Sequence, residues 1–509
     1  MIFDTPSLRL PMTLDADLCV IGAGPGGAMA AMVAAEAGMR VVVLEAGEFL
    51  TPSQFTQREE QMFPRLYWDS ASRTTADHYV RIHQGKGVGG STIHNLNLCK
   101  RIPPAVLTAW REERGLSKLP PSTWESLYSE VEALLSVAPI PQSQWNTHNR
   151  LLEKGCQVLG WAGGGLSHNR TGCIGSGFCE IGCRYNAKNN ALKVVIPRAV
   201  AAGAQILASC QVVRVEHGGG RVSAVRAVAV EPVTHRPLGE VMVTTPRACV
   251  AASATASPSL LLRSQVPDPS GETGRGLRIH PALVAAGDFQ EPVQAWIGIP
   301  QAFECVEFLD FADPGGHRTW IVPVLAHPMG VSTMLPGHGE AHRALMSRYA
   351  HLGALTAMLH DRTAGTVRHE GELSLRIDYW PNAADRRELM HGLWASVHLL
   401  FAAGASRVIV PSSPTRIIER GQAYDDIKAM ELRRGLLDVT GVHPMASVPM
   451  GDNPAKSAVG SDGKHHHLRG LWLADGSLFP SSIGVPPQLS IYALGLHVGR
   501  AIVTAGERI

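Results

Sequence analysis

Val20-Ile21-Gly22-Ala23-Gly24-Pro25-Gly26-Gly27, followed by Val41-Val42-Val43-Leu44-Glu45, decides the fold of this chain. Residues 17 to 22, apolar and β-prone after Asp17, read as a buried strand. Gly22, Gly24 and Gly27 then give the spacing G-x-G-x-x-G. The Ala-rich run 28–37 favours a helix, which Gly38 ends. Residues 41–44 form the next strand, with Glu45 at its C-terminal end. Strand, glycine turn, helix, strand and acid, all within about 30 residues, make a dinucleotide site. The first glycine permits the tight turn, the second lets backbone approach a pyrophosphate, and the third lets helix pack on strand. The helix N-terminus offers free N–H groups to phosphate, and Glu45 can accept from a ribose diol.

The rest of the composition narrows the class. A chain of 509 residues is too long for one core, so two domains are expected. Hydrophobic residues make up 45% and charged residues 18%, which suits a globular enzyme. A formal charge of +2 gives no footing for nucleic acid. No run of about 18 apolar residues predicts a membrane span. The N-terminal stretch shows neither a basic-then-apolar leader nor a twin arginine, so a cytoplasmic location is the default expectation, export with a partner subunit remaining open. His465-His466-His467 reads as a surface turn.

Two further segments extend the nucleotide site. Gln84-Gly85-Lys86-Gly87-Val88-Gly89-Gly90-Ser91-Thr92-Ile93-His94-Asn95 is glycine-rich, and its small residues would let backbone lie close to a flat ring. Far along the chain, Gly441-Val442-His443-Pro444 precedes Leu473-Ala474-Asp475-Gly476-Ser477 and Pro486-Pro487-Gln488. A histidine in such a block suits acid/base work, because its pKa lies near working pH.

Together these residues resemble the glucose–methanol–choline (GMC) oxidoreductase family, as do residues 257–263 and His280-Pro281. The resemblance spans nearly the whole chain. It implies an α/β fold (α+β overall), with a Rossmann-like FAD domain assembled from separated segments and a second domain built on an antiparallel sheet. The corresponding boundaries are 1–283 for the FAD domain, with a cysteine-rich insertion at 151–197, 284–438 for the substrate domain, and 439–509 for the return to the FAD domain. Runs at 204–207, 211–215 and 248–252 read as strands of the FAD domain. Trp296, Phe303, Phe308, Phe311, Trp320, Tyr379 and Trp380 suit either an apolar pocket lining or ordinary core.

By the same resemblance, FAD would be held by Gly22, Gly24, Gly27, Glu45, Gly89, Gly90, Ser91, His94, Asn95, Val213, Asp475, Gly476 and Gln488. His94 aligns with a position that in some members links covalently to the flavin 8α-methyl. A helix beginning near Leu489 would aim its N-terminus at the flavin pyrimidine edge. His443 would be catalytic: it helps deprotonate an alcohol while hydride passes to flavin N5, and electrons continue to an acceptor other than oxygen. The family's second active-site residue, His or Asn, is replaced by Pro486, which has no side-chain donor or acceptor. That replacement keeps lyase-like non-redox chemistry open as an alternative, and an oxidase using oxygen is another.

Cys173, Cys179 and Cys183 stand in a glycine-rich stretch, while the other six of nine cysteines are scattered. Clustered thiolates can wrap a soft metal or an iron–sulfur cluster. Their spacing resembles both the FAD glucose/fructose dehydrogenases, where three such cysteines hold a [3Fe–4S] cluster, and the long-chain alcohol oxidase or dehydrogenase branch. A disulfide with one free thiol, three structural thiols, or zinc with His168 are the other readings. With a cluster, a small subunit, cytochrome or quinone would be the expected partner. The resemblance to the long-chain alcohol branch and the aromatic supply imply an apolar or cyclic alcohol as substrate in preference to a sugar.

Overall fold

The computed structural model describes residues 1–313, 315–324, 327–371 and 373–506. Its first layer is a six-stranded sheet in the order Ile2–Phe3, Gln205–Leu207, Val41–Leu44, Leu18–Ile21, Ala248–Val250 and Leu471–Leu473. Every pairing in it is parallel. Leu18–Ile21, Val41–Leu44, Ala248–Val250 and Leu471–Leu473 are buried at every position. That explains their unbroken apolar runs, since a parallel strand covered on both faces has no polar side. The start, the middle and the end of the chain thus meet in one sheet.

The helix Pro25–Glu36 follows the glycine turn and packs on the last helix, Gln488–Gly506. They approach through small residues: a Cβ on Gly495 would stand 2.5 Å from the Gly26 carbonyl oxygen. Beside the parallel sheet lies a four-stranded sheet of Cys210–Gly218, Arg221–Val230, Pro237–Thr244 and Met12–Asp15.

The second layer is a nine-stranded sheet centred on the antiparallel pair Pro281–Asp288 and Leu352–Leu359. The helix Ala383–Ala403 packs on one face of it, with Thr147–Leu159 against that helix. Residues 147–165, which precede the cysteine stretch, belong physically to this layer: Gly163–Gly165 pairs with Phe303–Cys305 at the sheet's end. Strand alternation sorts the two faces. Leu283, Ala285, Leu355 and Ala357 join the core beneath the helix. Ala282, Val284, Ala286, Ala354, Thr356 and Met358 point the other way, toward the first layer.

Val439–Gly441 pairs antiparallel with Pro281–Asp288 and parallel with Val80–Ile82. It carries His443 to the seam between the layers. Among the described residues, no helix is long and apolar enough to cross a membrane.

Candidate active site

The uncovered face of the nine-stranded sheet and the glycine turns of the parallel sheet enclose one cavity of about 860 Å³. Gly22, Gly24, Glu45, Gly90, Ser91, His94, Asn95, His443, Asp475, Gly476 and Gln488 all line it. Three of the residues expected to bind the cofactor do not. Gly27 lies behind the turn, where a Cβ would come within 2.1 Å of the Gly22 oxygen, so it serves helix-on-strand packing. Gly89 donates its N–H to the Ala23 carbonyl at 2.9 Å and fastens the second glycine loop to the first. Val213 is replaced at the cavity wall by its neighbour Val212. Its carbonyl accepts from Arg263 at 2.6 Å, as does that of Val212 at 3.1 Å, and the strand register shifts between Val212 and Arg214.

The two glycine loops form a cradle that leaves no room for side chains. Gly22 has φ +101°, and a Cβ there would strike the Ala251 oxygen at 2.4 Å. A Cβ on Gly90 would lie 2.6 Å from the Gly24 Cα. The N-terminus of Pro25–Glu36 opens at this point, with no side chain capping it. Glu45 accepts from the amides of Ala23 (2.8 Å), Gly47 (2.9 Å) and Gly87 (3.1 Å), tying both loops to the strand end. Burial raises its pKa, and those three amides pull it back. Asp475 accepts from Ser253 (2.9 Å) and Ser477 (2.8 Å), and burial raises it likewise. Gln488 accepts from the Asn95 side chain at 2.7 Å and donates to the Leu98 carbonyl at 2.6 Å. The helix it begins, Gln488–Gly506, therefore starts at the cavity beside Pro486 and Pro487.

His443 sits against His280, with their Nδ1 atoms 3.1 Å apart. On the far side of the His280 ring, the Gly484 N–H donates to Nε2 at 3.1 Å. His280 has φ +49°, and Asp361 holds its backbone: the carboxylate accepts from the amides of Ile279 (3.2 Å) and His280 (3.4 Å) and from the Tyr379 hydroxyl (2.8 Å). Burial pushes His443 down to about 4 and His280 well below the ordinary histidine value, so both rings are neutral at pH 7. Asp361 is pushed up to about 6 by burial.

His94 is packed under Tyr67, with ring centroids 4.1 Å apart, and its buried Nε2 has no hydrogen-bond partner. A Cβ on Gly85 would fall 2.1 Å from that nitrogen. None of the second-layer aromatics singled out from the sequence is in the lining, although Tyr349 is. Phe303, Trp320 and Tyr379 are buried in the cores, and Trp296 stacks on Tyr349 at 4.5 Å. The apolar wall consists instead of small and aliphatic residues of the sheet, with Met329, Val331, Met334 and Leu335 facing them. His465 corrects another expectation: it is 2% exposed, and its Nδ1 accepts from the amides of His467 and Leu468.

The three clustered cysteines lie outside the cavity lining, and all nine cysteines are free thiols. Among the described residues, no cysteine belongs to a trio of metal-ligating side chains with all ligand atoms within 4.8 Å of one another. A tetrahedral zinc site with His168 is therefore not assembled. His168 instead bonds the Gln301 carbonyl at 2.9 Å. Next to the cysteines, Lys188 is 2% exposed. Its ammonium donates to the carbonyls of Ile93 (3.1 Å), Asn95 (2.6 Å) and Cys179 (3.1 Å), and burial pushes it down to about 8. Arg170 Nη1 reaches Cys173 Sγ at 3.7 Å, while its buried Nε and Nη2 have no hydrogen-bond partner.

The N-terminal model of the GMC oxidoreductase family matches residues 63–282, and its C-terminal model residues 361–495. The chain belongs to the GMC oxidoreductase family. An FAD binding domain model matches residues 17–54, which hold the first glycine turn and Glu45. An uncharacterized GMC-type oxidoreductase of Mycobacterium tuberculosis is 33% identical over 494 residues, covering 96% of this chain and 76% of that one. A long-chain-alcohol oxidase of Arabidopsis thaliana is 26% identical, covering 96% and 68%. Pyridoxine 4-oxidase from Mesorbium loti has the same fold, with a TM-score of 0.70 at 16% identity over 95% of this chain and 98% of that one. Formate oxidase gives a TM-score of 0.71 at 15% identity.

This GMC flavoenzyme fold accounts for the cradle. The glycine loops, the open helix N-terminus and the buried acids fit FAD, and the lining residues that would hold it are Gly22, Gly24, Glu45, Gly90, Ser91, Asn95, Asp475 and Gln488. Sequence reasoning noted His280 only for its resemblance, and it gave no role to Gly26, His83, Lys188 or Asp361. Gly26 alone had a local signal, as the neighbour of the fingerprint glycines.

Proposed function

We propose that this GMC oxidoreductase oxidises the hydroxyl of an apolar alcohol to a carbonyl. The observation that carries this reading is that His443 and the aliphatic sheet face open into the same cavity as the glycine cradle. When bound, the flavin supplies a two-electron acceptor for the hydride of the alcohol carbon. The chain's part is to hold the alcohol, exclude water and manage the hydroxyl proton. His443 stands where it can hydrogen-bond the substrate oxygen, and its burial among apolar groups strengthens that bond. Ala282, Val284, Ala354 and Met358 offer no hydrogen bonds, so they favour an alkyl chain over a sugar. The name of the plant relative, a long-chain-alcohol oxidase, agrees with this preference.

Anaerobic mixing of the FAD-loaded protein with 1-decanol tests the reading. Bleaching of the flavin band by decanol, and not by glucose, is the expected result. No bleaching by any alcohol would sink it.

The electron acceptor turns on the cysteines. Buried Lys188 and half-buried Arg170 adjoin three thiols, and among the described residues no carboxylate is ion-paired with either. Such a setting favours an anionic group, which supports a [3Fe–4S] cluster on Cys173, Cys179 and Cys183 and a protein or quinone acceptor. The same cations would also stabilise bare thiolates. Iron assayed on anaerobically purified protein separates these two: about three irons per chain supports the cluster, and none makes oxygen the acceptor to test first.

A further inference from the structure

The cavity extends well beyond the histidine pair, and one buried carboxylate holds its far wall. Along Pro281–Asp288 the face turned to the cavity begins at Ala282, paired with Thr440 on the strand that leads to His443. It ends at Ala286, paired with Ile409. Those four residues of strand span about 14 Å, close to the length of an extended decyl chain. Met358, Thr356 and Ala354 stand opposite Ala282, Val284 and Ala286. Apart from Thr356 the whole stretch is aliphatic, so it suits an alkyl chain laid along the strand.

At the far end stands the helix Pro328–Met334. Met329, Val331 and Met334 line the cavity. So does Leu335, which packs with Ala286, Leu352 and Ile409. No residue of the helix itself is buried. It has no core of its own, and its place depends on how its ends are fastened.

Glu59 fastens the N-terminal end. Pro328 has no N–H to offer, and the Val331 N–H donates to the His327 carbonyl at 2.9 Å. The two amides between them, Met329 (2.7 Å) and Gly330 (2.9 Å), donate to the two oxygens of the Glu59 carboxylate. An anion at a helix N-terminus is favourable, and such charge-assisted bonds are strong. Glu59, Met62 and Leu66 are the buried residues of the helix Glu59–Leu66. Met62 and Leu66 enter an apolar core, and Glu59 shares their face, where the spacing calls for another apolar side chain. A carboxylate is costly there unless its hydrogen bonds are made, and they are made to the wall of the cavity. The neighbouring tether does not replace it: His327 stacks on Phe178 at 4.8 Å and donates to the Gly177 carbonyl at 3.2 Å, which holds the residue before the helix and leaves the Met329 and Gly330 amides to Glu59.

We propose that Glu59 is a positioning residue that sets the chain-length selectivity of the cavity. Its carboxylate seats Pro328–Met334 as the wall against which the outer methylenes of a decyl-length alcohol pack; this rests on the alcohol-oxidation reading above. A short chain lies near His443 and does not reach this wall. Removing the carboxylate therefore costs long chains their packing and leaves short ones unaffected. A merely structural Glu59 would weaken all lengths alike.

The FAD-loaded protein is compared with Glu59→Gln, Glu59→Ala and Met334→Ala, each checked for flavin content and Tm. Calorimetric binding of hexanamide and decanamide, which carry no oxidisable hydroxyl, reads selectivity without turnover. Four fully buried methylenes set a ceiling of about 200-fold, and the wild type should bind decanamide at least ~30-fold tighter than hexanamide. In both Glu59 variants that ratio should fall below ~5-fold through decanamide alone, with hexanamide within about threefold of wild type. Met334→Ala, which alters the wall and not its anchor, should lower the ratio at least ~3-fold. Hydrogen exchange in the segment 328–335 should be at least ~10-fold faster in Glu59→Gln. Anaerobic flavin reduction should keep its limiting rate within about threefold, and only 1-decanol, not 1-hexanol, should need a higher concentration to reach it.

Equal weakening of both amides in Glu59→Gln would overturn the proposal. So would an unchanged ratio in Glu59→Gln or Met334→Ala, unchanged hydrogen exchange, or a wild-type ratio near one. If no alcohol reduces the flavin, the functional reading fails, and the amide ratio with the hydrogen exchange still decides for or against Glu59.

Discussion

His280 Nδ1 lies 3.1 Å from His443 Nδ1, and the Gly484 amide on the opposite edge of His280 fixes which ring donates. A relay with one possible direction does two things. It holds the His443 ring in place, and it assigns the proton that faces the cavity.

Replacing His280 with Phe keeps a flat ring and deletes the donor. His443 Nδ1 is then buried without a partner, a loss of about 1–3 kcal/mol. The outcome expected is a rate of anaerobic flavin reduction lowered roughly 10-fold or more, with flavin content unchanged. Unaltered rates would mean that His443 keeps its tautomer without His280.

Two buried histidines and one buried glutamate make stability depend on pH in opposite senses. Burial pushes His83 and His443 down to about 4, against 6.5 for an unburied histidine. Between those values the unfolded chain binds protons that the folded one refuses, so stability falls as pH drops from 6.5 toward 4. Glu180 works in the opposite sense. Burial first, and then the Glu59 charge, push it up to about 7 from 4.5. Its stabilisation is complete below pH 4.5 and is lost as pH rises toward 7. Tm measured from pH 4 to 8.5 should therefore rise from pH 4 toward 7, because two histidines outweigh one glutamate. Glu180→Gln should steepen the rise between pH 5 and 7, and an unchanged slope there would contradict the assignment.

Gly90→Ala tests the cradle. The added methyl would have to occupy space 2.6 Å from the Gly24 Cα, at a position whose φ is +56°. Both loops would be forced apart where the cofactor phosphates approach. The purified variant should be nearly colourless, with a 450 nm to 280 nm absorbance ratio below a tenth of wild type. Full flavin retention would show that the loops have slack.

The contact between the first and last helices is open to a stability measurement alone. Gly495→Val would drive a branched side chain against the Gly26 carbonyl and the Met29 side chain. Overpacking of this kind costs about 1–3 kcal/mol. A urea midpoint lowered accordingly, with an unchanged slope, is the expected reading.

Much of the fold could be read from residues that report on themselves. Leu18–Ile21 and Val41–Leu44 are apolar at every position because both faces are covered, and the glycines between them have spacing that few other structures require. His443 and Gln488 stand in similarly specific blocks, and both line the cavity. His83 and His280 could not be found this way. Each is a single histidine whose place depends on a strand register or a turn formed with distant residues. Val212 lines the cavity in place of Val213 at a shift of strand register that the sequence does not announce. The aromatics of the second layer were ambiguous for a related reason: composition says how much apolar surface exists, and only packing says which of it faces a ligand. His465 looked like a surface residue because its neighbours are polar, yet its ring caps two amides of its own turn.

The parallel sheet pairs Ala248–Val250 with Leu471–Leu473, and the seam pairs Val80–Ile82 with Val439–Gly441. On the ribosome, the first half of each pair is therefore made long before its mate exists. Until the late strands emerge, the nascent chain displays Val250, Ile82 and the sheet face beside them to the cytosol or to whatever chaperone meets it. A truncated product would retain the nucleotide fingerprint and yet lack a closed pocket. The cavity that would take the flavin is therefore complete only when the last strands of the chain have been made.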